Sequence, residues 1–356
     1  MKQDVIKKRV LMVGVGPNRV GGMWAVAEEY IKSPQYNKSV DLVYVATSTN
    51  GNLVKRSLYM LLGYLKIIWT LNTKPIDIVH IHMAEKGSTF RKGLVAKWAK
   101  GKNKKVIIHL HAGPFMAWYK SVSKKTQDKI KKILHYSDSL LVLGSYWLNE
   151  LSEIVPIDKM TVLYNGVPCP DSNPYSNEAR NIVFFGVMRK EKGIYDLINA
   201  VKCINNELPS DIKVVLCGND LEGNIAETIE NAGLSPRFDL VGWVTGNKKE
   251  LIYQNAMMDI LPSYFEGLSM TVLEAMARGI PVITTNISTM PELIGKNGIL
   301  IEPGDVKNLA KAILLLSSDR EKRHQMSQEE YERIKCSFSD SVFIEKTLNI
   351  YKQLSS

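Results

Sequence analysis

Two carboxylates stand eight residues apart in the run Glu266-Gly-Leu-Ser-Met-Thr-Val-Leu-Glu274. Upstream, Met258-Asp-Ile-Leu-Pro262 reads as a buried strand ending at proline. Downstream, Met270, Leu273 and Ala277 have helical spacing, stopped by Gly279 before Pro281. This places Glu266 on a loop and Glu274 about one turn into a helix. The backbone N–H groups of Gly267, Leu268 and Ser269 then fall at the helix start, where unpaired donors and the helix dipole attract anions. A carboxylate beside such a site accepts hydrogen bonds from hydroxyls. The combination suits a ligand with both phosphates and sugar hydroxyls; an acidic first helical turn without a ligand is the plainer alternative.

Three other stretches carry possible chemistry. Phe184-Phe-Gly-Val-Met-Arg-Lys-Glu-Lys-Gly193 runs from a strand into a helix, and Arg189, Lys190 and Lys192 there could neutralise a pyrophosphate. Gly14-Val-Gly-Pro-Asn-Arg-Val-Gly-Gly22 follows the first strand, and its Gly21-Gly22 pair would let the backbone approach a ligand or serve as a flexible turn. Its spacing misses the dinucleotide fingerprint, and no acidic residue closes the second strand, which disfavours a nicotinamide enzyme. Finally, His80, His82, His109 and His111 end two neighbouring strands. Strand alternation suggests that each His-x-His pair sends one ring into the core and one toward a ligand, with His111 the ligand-side candidate. No Asp or Glu interleaves with them, so no metal is expected.

These loops need elements to hold them. At 356 residues the chain can bury two cores, and its composition, 45% hydrophobic and 23% charged, is that of a globular protein. Short apolar runs alternate with amphipathic stretches. The expected strands are Val10–Val15, Val40–Ala46, Ile76–His82, Lys105–His109, Ser139–Leu143 and Met160–Leu163, then Ile182–Phe185, Val214–Cys217, Phe238–Leu240, Met258–Leu261, Val282–Thr284 and Gly298–Ile301. The turn formers of Asn165–Pro174 separate the two series. The expectation is an α/β fold with two Rossmann-like, doubly wound parallel-sheet domains. The first covers residues 1–168, the second 169–338, and a helix over 339–356 crosses back toward the first. Ligands of such sheets bind beyond the carboxyl ends of the strands, so the two domains would face each other across a central cleft.

Net charge is +10, but residues 1–168 hold 26 Lys and Arg against 11 Asp and Glu, while the remainder is net acidic. One half is therefore expected to meet a polyanionic surface, membrane phospholipid or nucleic acid, with a solvated basic surface as the alternative. Lys55–Trp69 and Lys120–Lys132 are basic helix candidates suited to a membrane surface, with a core helix and a solvated face as the respective alternatives. No nucleic-acid module is evident. The start lacks a secretory core and no apolar run spans a bilayer. Cys203 and Cys217 sit in apolar periodic segments and read as reduced core thiols, which fits a cytoplasmic protein.

Taken together, the residues resemble glycosyltransferase family 4, retaining nucleotide-sugar enzymes of the GT-B fold, in its bacterial polysaccharide branch. The likeness is carried by Glu266-x7-Glu274, Gly279-Ile-Pro-Val282, Pro291-Glu292, Asn297-Gly298, Pro303-Gly-Asp305, Asn165-Gly-Val167, Glu191-Lys-Gly193, Asp77-Ile-Val-His-Ile-His82 and His109-Leu-His-Ala-Gly113. The resemblance implies catalytic roles for His111, Glu266 and Lys192. It implies donor-binding roles for Glu274, Gly267, Leu268, Ser269, Arg189, Gly21 and Gly22. Glu274 would hold ribose, Glu266 the donor sugar, Lys192 the diphosphate, and His111 would lie by the transferred sugar. Two departures stand out: Val187 where the family commonly has arginine, with Arg189 as a substitute, and Ser288-Thr289-Met290 where a Gly-Gly often precedes Pro-Glu.

The implied activity is transfer of a hexose from a UDP- or GDP-sugar to a saccharide acceptor, in particular a lipid-linked one, with retained configuration. No cofactor or metal is implied. The implied place is the cytoplasmic side of the cell membrane, on an anionic surface. A catalytically silent GT-B partner subunit, a nucleotide-sugar epimerase and a phosphorylase are the alternatives.

Overall fold

The computed structural model describes residues 7–17, 22–111, 113–296 and 298–355. Gly21 and Asn297 lie outside the described residues. The chain forms two compact units, one of Met1–Gly166 with Asp340–Ser356 and one of Val167–Ser339.

The first unit holds a parallel sheet ordered β2-β1-β3-β4-β5-β6, made of β1 (Lys8–Gly14), β2 (Val40–Ala46), β3 (Ile78–Met83), β4 (Lys105–Leu110), β5 (Ser139–Val142) and β6 (Met160–Val162). Its helices are α1 (Gly22–Lys32), α2 (Pro34–Ser39), α3 (Leu53–Thr73), α4 (Gly87–Gly101), α5 (Phe115–Ser121), α6 (Lys124–Leu134) and α7 (Ser145–Leu151). β3 is buried at every position, as a central parallel strand covered on both faces must be. Val122 and Ser123 break the expected helix over Lys120–Lys132, because both take extended backbone between α5 and α6.

The second unit is ordered β12-β11-β10-β7-β8-β9, from β7 (Asn181–Phe185), β8 (Val214–Cys217), β9 (Phe238–Leu240), β10 (Ala256–Leu261), β11 (Val282–Thr285) and β12 (Ile299–Ile301). Around it lie α8 (Ile194–Ile204), α9 (Ile225–Asn231), α10 (Gly246–Gln254), α11 (Met270–Met276), α12 (Met290–Ile294), α13 (Val306–Ser318) and α14 (Arg320–Ser337). The first strand of this unit, β7, lies beside the fourth, β10, so the direction of winding reverses between them. That reversal leaves a crevice at their carboxyl ends where ligands bind in open α/β sheets.

The last helix, α15 (Asp340–Ser355), belongs to the first unit. Tyr351 Oη lies 3.1 Å from Tyr36 Oη and 2.6 Å from His80 Nδ1, and Thr347 Oγ1 lies 3.1 Å from Tyr30 Oη. Hydroxyls buried among aromatic rings are costly unless bonded, so these contacts fix how α15 seats.

Candidate active site

In the second unit, the loop after β7 and the loop after β10 meet at the point of reversal. Gly193 has φ +69°, and a Cβ there would fall 2.0 Å from the Pro262 carbonyl oxygen. Only glycine allows both the backbone turn and the approach. The preceding Lys192 is thereby brought to Glu266, with Nζ to Oε1 at 2.6 Å, and Ser263 Oγ donates to the same oxygen at 2.8 Å. Glu266 is nearly buried and Lys192 partly so. Among the described residues no hydrogen bond falls on the other Glu266 oxygen.

The loop itself is fastened from below. Ser288 Oγ donates to the Glu266 carbonyl at 2.7 Å and Thr289 Oγ1 to the Gly267 carbonyl at 2.6 Å. The Ser288-Thr289 departure from the family pattern therefore supplies two hydroxyl clamps. Ser269 caps α11 by accepting from Val272 N–H, and Leu268 is buried behind it.

Glu274 sits one turn into α11. Its Oε2 pairs with Lys249 Nζ and takes a longer contact of 3.4 Å from Tyr253 Oη. As with Glu266, the described residues place no bond on its second oxygen. Lys249 also lies over the rings of Phe185 and Tyr253, at 5.5 and 5.6 Å from their centres. Both carboxylates are thus anchored through one oxygen by a lysine and a hydroxyl. The remaining oxygens are placed to accept from ligand hydroxyls. Arg189 is exposed at the loop, while the Lys190 N–H donates to Glu222 Oε1 at 2.9 Å.

The histidines of the first unit correct the sequence reading. Alternation sends neighbouring residues to opposite faces, so residues two apart share one. All four rings accordingly gather: His80 stacks on His82 at 4.8 Å, His82 on His111 at 5.0 Å, and His109 meets His111 at 4.0 Å. His82 Nδ1 lies 2.8 Å from His111 Nε2, so one proton is shared between those nitrogens. Burial pushes His80 and His111 down to about 3, and lowers His82 and His109 well below the usual imidazole value. The rings are neutral at physiological pH.

Donor atoms of His80, His82 and His109 lie within 4.8 Å of one another, close enough to be weighed as a metal site. The Lys92 ammonium reaches the His82 carbonyl and lowers His82 and His111 further. A buried cation at that position weighs against a second one.

Sequence reasoning passed over Lys249 and Tyr253, whose partner Glu274 lies 25 and 21 positions away, and also Ser263, only three positions before Glu266. It also placed Cys203 in the core, whereas that thiol is exposed on α8; Cys217 is buried and pushed up to about 12.

Two family models divide the chain between them. The one described as glycosyl transferases group 1 matches residues 170–333, and the glycosyltransferase family 4 model matches residues 25–169. An uncharacterised 41.2 kDa protein of the cps region of Klebsiella pneumoniae is 26% identical over 285 residues, covering 76% of this chain and 77% of that one. The N-acetyl-alpha-D-glucosaminyl L-malate synthase of Bacillus anthracis is 26% identical over 294 residues, covering 78% and 74%. Among solved structures, Anabaena HepE in complex with UDP matches with a TM-score of 0.74 at 14% identity, over 97% of this chain and all of the other. Both units are accounted for, each by a glycosyltransferase model, and the chain belongs to the group 1, family 4 type of glycosyltransferases with the GT-B fold.

Proposed function

We propose that the protein moves a hexose from a UDP- or GDP-sugar to a lipid-linked saccharide, with retention and without a metal, in the building of a cell-surface polysaccharide. The second unit takes the donor and the first the acceptor. The observation that carries this reading is the matched pair of half-engaged carboxylates, Glu266 and Glu274, each braced by a lysine. Glu274 accepts from ribose hydroxyls and Glu266 from the donor sugar, with the N–H groups of Gly267, Leu268 and Ser269 beside it. Lys192 and Arg189 meet the diphosphate.

The acceptor oxygen bonds to the anomeric carbon on the side from which the nucleoside diphosphate leaves. The bond to the phosphate oxygen breaks, its electron pair departs with the diphosphate, and the acceptor proton passes to that same leaving oxygen. Lys192 supports the charge that develops there. No protein base is then needed, in keeping with a His111 ring held near pKa 3; its role is a hydrogen bond to the transferred sugar. The basic first unit supports a position on the inner, anionic face of the cell membrane.

A panel of UDP- and GDP-sugars, read by thermal stabilisation and then by turnover, tests this. One nucleotide class is expected to stabilise the protein, and Glu274→Ala to abolish the effect. Equal stabilisation of the variant would sink the assignment. A wild type that binds donor yet neither transfers nor hydrolyses it would favour the silent-subunit reading.

A further inference from the structure

Of the seventeen large hydrophobic side chains exposed among the described residues, seven lie on α3. The helix packs on its own sheet through Gly63, Ile67, Thr70 and Leu71. A Cβ at Gly63 would stand 2.7 Å from the Ala46 carbonyl oxygen, so this face is seated as closely as a helix can be. Val54, Leu58, Leu61, Leu62, Leu65 and Trp69, each more than half exposed, form a stripe about half a turn away at about 100° per residue. The stripe is therefore no part of the domain core. Such a patch on a soluble domain marks an interaction surface.

Its charge selects the partner. No acidic residue occurs between Asp41 and Asp77, while Lys55, Arg56, Lys66 and Lys74 all do. Lys55 and Lys66 fall along the edge of the stripe by helical angle, where long basic side chains reach from an apolar boundary toward anionic headgroups. No described helix is long and apolar enough to cross a membrane. At about 1.5 Å per residue, α3 offers roughly 30 Å of contact lying flat. Leu62 and Lys66 also line a groove of about 320 Å³ with Trp24, Tyr44 and Tyr59. That groove opens at the carboxyl ends of β1 and β2, beside the sheet's own reversal between β1 and β3. A molecule held in the lipid under α3 thus has a short path to the ligand end of the sheet, whereas a second protein copy on the stripe would sit on the groove's rim.

We propose that the outward face of α3 is a docking surface for an anionic phospholipid bilayer. This rests on the reading of a lipid-linked acceptor, but its test uses no donor. The full chain is mixed with vesicles of phosphatidylglycerol and phosphatidylcholine, or of phosphatidylcholine alone, and the bound fraction is read by flotation. Binding to the anionic vesicles is expected, at least tenfold above the neutral ones and weakened by salt. The triple variant Leu58→Gln, Leu61→Gln, Leu65→Gln and the pair Lys55→Glu, Arg56→Glu should each lose tenfold or more, with an unchanged circular dichroism spectrum and a cooperative melting transition as evidence of folding. Wild-type binding that is absent, equal on both vesicles, or retained in the triple variant overturns the proposal. So does a dimer that the triple variant dissolves without any vesicle binding. Failure of donor turnover would count against the proposed reaction alone, since vesicle binding is read separately.

Discussion

The two sheets are alike in strand number and direction, yet they bury opposite kinds of acid–base group. At the centre of the first lie four imidazoles, held neutral below their usual range. At the centre of the second lies Asp259 on β10, buried with no hydrogen bond on either oxygen among the described residues, near Glu330 of α14. Burial raises the carboxyls of both well above the usual range, with Glu274 adding to Asp259 and Asp259 to Glu330. Two charged pairs of the second unit, Lys192–Glu266 and Lys249–Glu274, stand instead at the loops beyond the strand ends. The same low-dielectric interior thus suppresses protonation in one unit and favours it in the other.

The largest expected effect concerns those charged pairs. Lys192→Met should lower turnover by about 10²–10³-fold, the usual loss on removing one preorganised donor to a developing charge. A variant within threefold of wild type would move the catalytic weight to Arg189.

Acid should separate the two units next. The histidines bind protons in the unfolded chain below about pH 6.5 but, for His80, only below about 3 in the fold. Their contribution is intact above about 6.5 and is lost as pH falls, by up to about 1.4 kcal/mol per pH unit for each buried ring. Asp259 and Glu330 have the reverse sign: raised in the fold, they help below the ordinary carboxylate range and weigh against folding as pH rises. Hydrogen exchange from pH 7 to 5 should show β3 and β4 losing protection before β10 does. Equal loss in both sheets would break the comparison.

Glu274→Gln should weaken donor binding by about thirtyfold, or about 2 kcal/mol, since the charged acceptor and the Lys249 pairing are lost together. Calorimetry with the stabilising nucleotide sugar measures it directly. The smallest effect is assigned to Asp259→Asn. It removes a buried unpaired carboxyl and should raise the second unit's melting temperature at pH 8 by a few degrees, about 1 kcal/mol, with little change at pH 4. A drop at pH 8 would show that the carboxylate has a partner in solution.

Much of the architecture was legible in local pattern. The strands of both sheets follow from apolar runs bounded by turn formers, because a parallel strand covered on both faces has no polar side to hide it. Glu266 and Glu274 were legible too, since a strand, a loop and a capped helix place them by short-range rules. Beyond the helix broken at Val122 and Ser123, the misses are matters of facing. His80 and His82 share a face by strand geometry, and only the β3–β4 register brings His109 into line with His82. Cys203 lies in an apolar helix but on its outer side.

The sequence by itself determined the two-sheet class, the loops that carry the site and the lysine and carboxylates on them, because these depend on residues a few positions apart. The tertiary structure alone decided which oxygen of each carboxylate is taken, by joining Lys192 to Glu266 across 74 positions and Lys249 to Glu274 across 25. It also decided that one apolar face of α3 is core and the other surface. Both faces are apolar in the sequence, and only the seat of Gly63 on the Ala46 carbonyl tells them apart.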